Sequence, residues 1–192
     1  MITLFHPVAN VKALIEPIEI LVKRRGLIWE LTKREIGSRY AGQWLGSFWS
    51  IAHPIFLIGL YVFIFGIVIS ARIGGTREMP LDYTTFILVG IIPWLFSQEI
   101  MTKATTAITG NSGLVKQVVF PIEILPVTSV YSASFSAIIA MGVLGAYVIA
   151  TGQVHLAMLP MLPVIIILHL AFMTGIAFAF SAIAVFFAIE AA

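Results

Sequence analysis

Cysteine is absent from the 192 residues, which excludes a disulfide framework, a thiolate zinc site and a cysteine nucleophile. Charge is scarce as well: Asp, Glu, Lys and Arg make up 10% of the chain, 60% is hydrophobic, and the mean hydropathy is +1.05. A soluble domain keeps roughly a quarter of its residues charged to cover its surface, so this composition points to lipid as the main solvent. No G-x-x-x-x-G-K-[ST] loop and no Gly-Lys dipeptide occur, so the chain has no P-loop with which to cradle nucleotide phosphates. Met1 to Gly26 also lacks an apolar stretch of about 7–15 residues followed by a small-residue cleavage site, and no removable signal peptide is expected.

The charge that is present is unevenly placed. Seven of the eleven Lys and Arg residues fall between Lys12 and Arg39, ahead of the first long apolar run. The positive-inside rule assigns such a segment to the cytoplasmic side, and no aromatic-interleaved basic fold follows it that would favour nucleic acid as a partner. Within LIWELTKREIGSRY, Glu30, Lys33, Arg34 and Gly37 share one helical arc, with Leu27, Ile28, Trp29, Leu31, Ile36 and Tyr40 on the rest. This pattern predicts an imperfect amphipathic helix lying at a membrane or protein interface. Glu30 with Arg34 and Glu35 with Arg39 form i,i+4 pairs, each contributing a few tenths of a kcal/mol.

Four apolar runs follow. Tyr40 to Ala71 carries no charge, and Phe48 to Ala71 makes a helix about 36 Å long, with Pro54 near its start. Arg72, Gly74, Gly75, Arg77, Glu78 and Asp82 then mark a polar loop. The run from Tyr83 to Gln98 is only sixteen residues, short of the ~20 that a span needs. Either the helix continues through Glu99 and Lys103 or Pro93 breaks a re-entrant pair; the apolar pattern resuming at Ile100, Met101, Ala104 and Ile108 favours continuation. Gly110, Asn111, Ser112 and Gly113 read as a turn, and LVKQVVFPIE from Leu114 to Glu123 as a short amphipathic stretch.

Ile124 to Ala150 is charge-free and rich in Ser and Gly, as suits a helix packed closely against others. After a turn at Thr151 to Gln153, Pro160 and Pro163 open a last helix running to about Phe187, with Val154 to Leu159 as interfacial chain. The fold class is an all-α polytopic membrane protein: residues 1–40 form an interfacial segment and 41–192 a transmembrane domain, with spans at about 48–71, 83–105, 124–150 and 161–188. A cytoplasmic N-terminus then puts nine Lys and Arg residues inside and two, Arg72 and Arg77, outside. Phe186 to Ala192 supplies no Lys, Arg or polar tail to finish the fourth span, and the chain reads as a truncated piece.

Three blocks resemble a known family. They are Arg34-Glu35, Arg39-Tyr40, Leu45-Gly46, Trp49 and Pro54 in the first; VGIIPW at Val89 to Trp94 in the second; and NSGLVKQVVFPIEILP at Asn111 to Pro126, the most specific, in the third. Together they are similar to type-2 ATP-binding-cassette permeases that export polysaccharides and polyol phosphates, with the O-antigen branch favoured over capsule or teichoic acid exporters. The resemblance implies six spans, of which this chain would hold four. It implies a homodimer in the bacterial inner membrane that passes lipid-linked polysaccharide, with ATP and Mg bound by a separate ATPase subunit and no cofactor or metal in this chain. It further implies a coupling loop at 110–121, where Leu114, Val115, Lys116, Phe120 and Pro121 dock on the ATPase, with Arg34, Glu35 and Arg39 as a second contact. Departures are Ala188, Ile189 and Glu190, where the family continues into an Arg-Asp step and two further spans.

Other readings compete at single residues. Without the family resemblance, Leu114 to Val119 reads as an interfacial loop helix, and the resemblance favours docking. Glu99 and Lys103 form an i,i+4 pair suited to a membrane interface, and His53 sits at the same level beside Pro54. Intramembrane His169 faces either a polar pore or a helix–helix hydrogen bond. Tyr61, Trp94 and Tyr131 are candidates for a sugar path, although most aromatic residues are explained by lipid contact and interfacial belts. An exporter of drugs or small lipids, a lipid-linked glycosyltransferase or phosphatase, and a secondary transporter are the rival functions. The enzymes would need clustered acidic residues, or His with Arg, at one membrane face, whereas on the outer face only Glu78 and Asp82 are close together, without a His.

Overall fold

Backbone N–H and C=O groups have no water to bond in a bilayer, so a chain this apolar satisfies them within helices. The computed structural model describes residues 19–39, 48–69, 83–115, 120–152 and 159–190, and among these there is no β-strand. Lys116, Tyr40, the polar loop from Arg72 to Asp82 and most of Val154 to Leu159 lie outside the described residues. The elements are α1 (Arg25–Arg39), α2 (Trp49–Tyr61) running into a π-helical segment (Val62–Ile69), α3 (Tyr83–Ala107), a 3-10 turn (Thr109–Asn111), α4 (Ser112–Val115), α5 (Ile124–Ala150) and α6 (Met161–Glu190). Among the described residues four stretches are long and apolar enough to cross a membrane: Ile51–Ile69, Tyr83–Ala107, Ile124–Ala150 and Met161–Glu190.

Two prolines test the sequence reading of these helices. Pro93 lies inside a 25-residue α3, so the helix continues through Glu99 and Lys103 and does not turn back at the proline. Pro54 is the sixth residue of α2, past the first turn, so it lacks the N–H that would close an i→i−4 bond there, and the helix nevertheless continues through it. At the other end of the first span, Gly66 approaches α3 closely: a Cβ there would sit 3.2 Å from the Oγ1 of buried Thr84.

The expected turn at Gly110 to Gly113 is instead helical, as a 3-10 turn leading into the four-residue α4. Asn111 explains this, because its Nδ2 donates to the Ala107 carbonyl at 2.8 Å and bonds an end carbonyl that α3 would otherwise leave open. Gly152, at φ +70°, ends α5 in a left-handed cap, its N–H donating to the Ile149 carbonyl at 3.1 Å.

α5 is the hub: α1, α2, α3 and α6 all pack on it. Small residues allow this closeness. Ala104 of α3, Ala133 of α5 and Ala177 of α6 are fully buried in one cluster with Phe96, Ile100, Val130 and Met173. Ser181 of α6 shares its one proton between the Ala177 carbonyl of its own helix at 2.7 Å and the Ala104 carbonyl of α3 at 2.9 Å, the second a helix-to-helix contact of the kind that holds spans together where lipid removes the hydrophobic drive. A second cluster seats Ile28 of α1 on Ile124 and Val127, and a third joins Ile58 of α2 to Leu88 and Ile92 of α3.

Candidate functional site

The inner stripe of α1 is Ile28, Thr32, Glu35 and Arg39, spaced by three and four residues, so all four face α3 and α5. Ile28 and Thr32 are buried, and Thr32 keeps its hydroxyl proton occupied on the Ile28 carbonyl at 2.7 Å. One turn further on the stripe becomes charged, and its partners lie on other helices. Arg39 Nη1 donates to Glu99 Oε1 at 2.7 Å, Lys103 Nζ lies 3.3 Å from the same oxygen, and Lys103 Nζ also lies 3.1 Å from Glu35 Oε1.

Serines of α5 complete the arrangement. Ser132 donates to Glu35 Oε1 at 2.7 Å and accepts from Lys103 Nζ at 2.6 Å; one turn later Ser136 accepts from Arg39 Nη1 at 3.1 Å. The result is an alternating chain, Arg39–Glu99–Lys103–Glu35, with zero net charge, that ties α1 to α3 and α5. Glu99 and Lys103 are about four-fifths buried, with 19% and 20% of their side chains exposed, so their attraction is much less screened than that of surface pairs.

This corrects the helix-surface pairing expected from spacing. Glu30 pairs with Lys33 at i,i+3 and 3.3 Å in place of Arg34, and Glu35 reaches across to Lys103. Trp29, counted with the apolar arc, is 53% exposed, with Lys33 Nζ 5.4 Å from its ring centre. At the start of the segment Lys23 sits 2.7 Å from Glu19 and holds its carboxyl below the ordinary value, chiefly by hydrogen bonding.

Two hollows flank the ion chain. A cavity of about 460 Å³ opens between α2, α3 and α5, with His53, Leu57, Ile58, Ile92, Phe96 and Ala140 as largely apolar walls and Arg39, Glu99 and Lys103 at one end. On the other side is a cleft of about 380 Å³, lined by Arg34, Glu35 and Ser38 of α1, Lys103 and Thr106 of α3, Asn111, Leu114 of α4, and Thr128 and Ser129 of α5. Arg34, Glu35 and Leu114, three residues expected to meet an ATPase, therefore share one cleft. Glu35 and Arg39 are also engaged inside the molecule, and Arg34 is exposed. Val115, Phe120 and Pro121 are half-buried beside the same end of α5.

The four residues expected along a sugar path do not converge. Tyr61 stacks on Phe65, ring centres 6.1 Å apart, and Trp94 is 62% exposed on α3. Tyr131 faces outward at the start of α5. His169 lies between α3 and α6, with Nε2 3.3 Å from Ser97 Oγ and its ring 5.5 Å from that of Phe96. Because Ser97 uses its one proton on the Pro93 carbonyl at 2.8 Å, His169 Nε2 is the donor in that contact. Among the described residues no group of three or more His, Asp or Glu gathers as a metal site. The residues missed from sequence are Ser132 and Ser136. Their i,i+4 spacing on a charge-free helix was the available signal.

The chain is 26% identical over 174 residues to the O-antigen export system permease protein RfbA of Myxococcus xanthus, a match covering 91% of this chain. Its relatives are O-antigen export permeases. Two proteins of the same name from Klebsiella pneumoniae are 28% and 26% identical over 162 residues, 84% of this chain. No family model matches. The chain spans 64% of the length of the Myxococcus relative and 60% of each Klebsiella relative. All-α architecture with four apolar spans agrees with the type-2 permease resemblance of the three sequence blocks.

Proposed function

We propose that the chain is permease sequence from an ATP-driven exporter that moves lipid-linked polysaccharide of the O-antigen class across the bacterial inner membrane. The observation that carries this reading is the meeting of Arg34, Glu35 and Leu114 in one cleft at one end of the bundle. A motor subunit docking there would touch α1 and the 110–121 loop at once. It would push on α3 and α5 through the Arg39–Glu99–Lys103–Glu35 chain. ATP and Mg belong to that partner on this reading, since the chain has no P-loop. The basic end is cytoplasmic by the nine-to-two charge split, and a cysteine at Thr76 should then be labelled from the periplasm in intact spheroplasts.

A second copy completes the polysaccharide path in this reading, because outward-facing Trp94 could line a path only where another surface faces it. Tyr61 and His169, both part-buried, remain path candidates in this reading. Phe120, beside the rigid Pro121 and four positions after Lys116 in the sequence, is the anchor of the coupling loop. Phe120→Ala in the cellular permease should remove an interface-centre aromatic contact of roughly 2 kcal/mol. The ATPase would then fail to co-purify, or would hydrolyse ATP without export, while permease abundance stays normal. Normal co-purification together with normal surface polysaccharide would refute the coupling role.

A further inference from the structure

The structure holds a third hollow, away from the ion chain. It is a groove of about 460 Å³ between the first turns of α1 with the residues before it and the start of α5, walled by Leu21, Val22, Ile28, Val127 and Tyr131, with Arg25 and Trp29 at its rim. Val22, Trp29 and Tyr131 are more than half exposed, at 64%, 53% and 54%. We propose that this groove is a binding site for an anionic phospholipid, with the headgroup phosphate on Arg25 and an acyl chain along the apolar walls.

Charge accounting selects this occupant. Among the described residues Lys23, Lys33, Arg39 and Lys103 each have a carboxylate within 4 Å, while Arg24, Arg25 and Arg34 have none, and of these three only Arg25 lines this groove. The groove therefore pairs a wall that wants hydrocarbon with an edge that wants an anion. A second copy of the chain matches only half of that requirement: four of its six described carboxylates, Glu19, Glu30, Glu35 and Glu99, are already in ion pairs. An anionic phospholipid supplies both halves in one molecule. Trp29 and Tyr131 flank the groove as amphipathic rings of the kind that sit at the headgroup boundary, which matches the depth at which a lipid's phosphate and ester groups lie. Tyr131, a sugar-path candidate by sequence, is a lipid contact in this account.

The test uses the purified protein in nanodiscs of equal phosphatidylglycerol and phosphatidylcholine with matched acyl chains, released for native mass spectrometry. Wild type should retain phosphatidylglycerol about five-fold over phosphatidylcholine, the preference expected from one cation near the headgroups. Arg25→Gln should bring the two to parity and Arg25→Lys should keep the preference. Tyr131→Ala should lower retention of both lipids together. Arg34→Gln is the control: it removes a cation of the same helix that lines a different cleft, and should leave the retention of both lipids unchanged. Equal retention by wild type would overturn the proposal. So would an equal loss from Arg34→Gln, which would mean diffuse attraction to a basic helix. A shift in oligomeric state by Arg25→Gln without a change in lipid retention would give the groove to a second copy and overturn it as well.

Discussion

Between Ile124 and Ala133 every residue of α5 but Tyr131 is buried, whereas from Ser134 to Ala150 none is. The first stretch is clasped by α1, α3 and α6 and carries Ser132, which bonds both Glu35 and Lys103. The second rests on α2 and α3 through Ala140, Met141, Val143, Leu144 and Tyr147, with Ile149 turned outward. One helix thus has a polar, geometrically exacting end and an apolar, tolerant one. In lipid that contrast has a physical reason. Apolar side chains gain little by leaving hydrocarbon for another helix, so specific placement of spans falls to hydrogen bonds, ion pairs and close small-residue contacts.

Substitutions graded along the bundle can break this contrast. The largest effect is expected from Lys103→Ala, which leaves Glu35 and Glu99 facing the site without their shared cation. A fully buried pair broken in this way costs roughly 3–5 kcal/mol, and the partial exposure here lowers the expectation to about 2 kcal/mol. It should appear as a lower unfolding midpoint in detergent titration, and Lys103→Ala with Glu99→Gln should recover part of it. Next comes Ala104→Leu, which overpacks a fully buried three-helix contact by about 1–3 kcal/mol in the same assay. Ser181→Ala removes the helix-to-helix hydrogen bond to Ala104 and should cost about 0.6 kcal/mol. Ile149→Ala, at a residue 70% exposed, should fall within about 0.5 kcal/mol of wild type. If Ile149→Ala matched Lys103→Ala, the two ends of α5 would not differ as described.

Much of the fold was legible because membrane spans announce themselves by composition. The apolar runs pointed to four spanning helices, and the apolar residues resuming at Ile100 after Glu99 favoured a continuous α3. The π-helical turn at Val62–Ile69 was not legible, since its residues are ordinary helix and strand formers and Gly66 discloses its role only beside Thr84. At the candidate site, the Glu99–Lys103 pair could be read from i,i+4 spacing. Its extension to Arg39 and Glu35 could not, because those residues are separated by about sixty positions and meet only through tertiary packing. Local spacing alone paired Glu30 with Arg34, and Lys33 took that carboxylate instead.

The central claim is that the Arg39–Glu99–Lys103–Glu35 chain holds α1 against the bundle. The cysteine-free sequence allows spin labels at Ser38 and Thr106, which line the same cleft on α1 and α3. Pulsed electron resonance should give one narrow distance distribution between them in otherwise wild-type protein. Lys103→Met should broaden it and shift it to longer distances, and Lys103→Arg, which keeps a cation between Glu35 and Glu99, should leave it narrow. An unchanged, narrow distribution in Lys103→Met would show that the apolar seat of Ile28 on Ile124 and Val127 holds the helix without the ion chain, and would contradict the account.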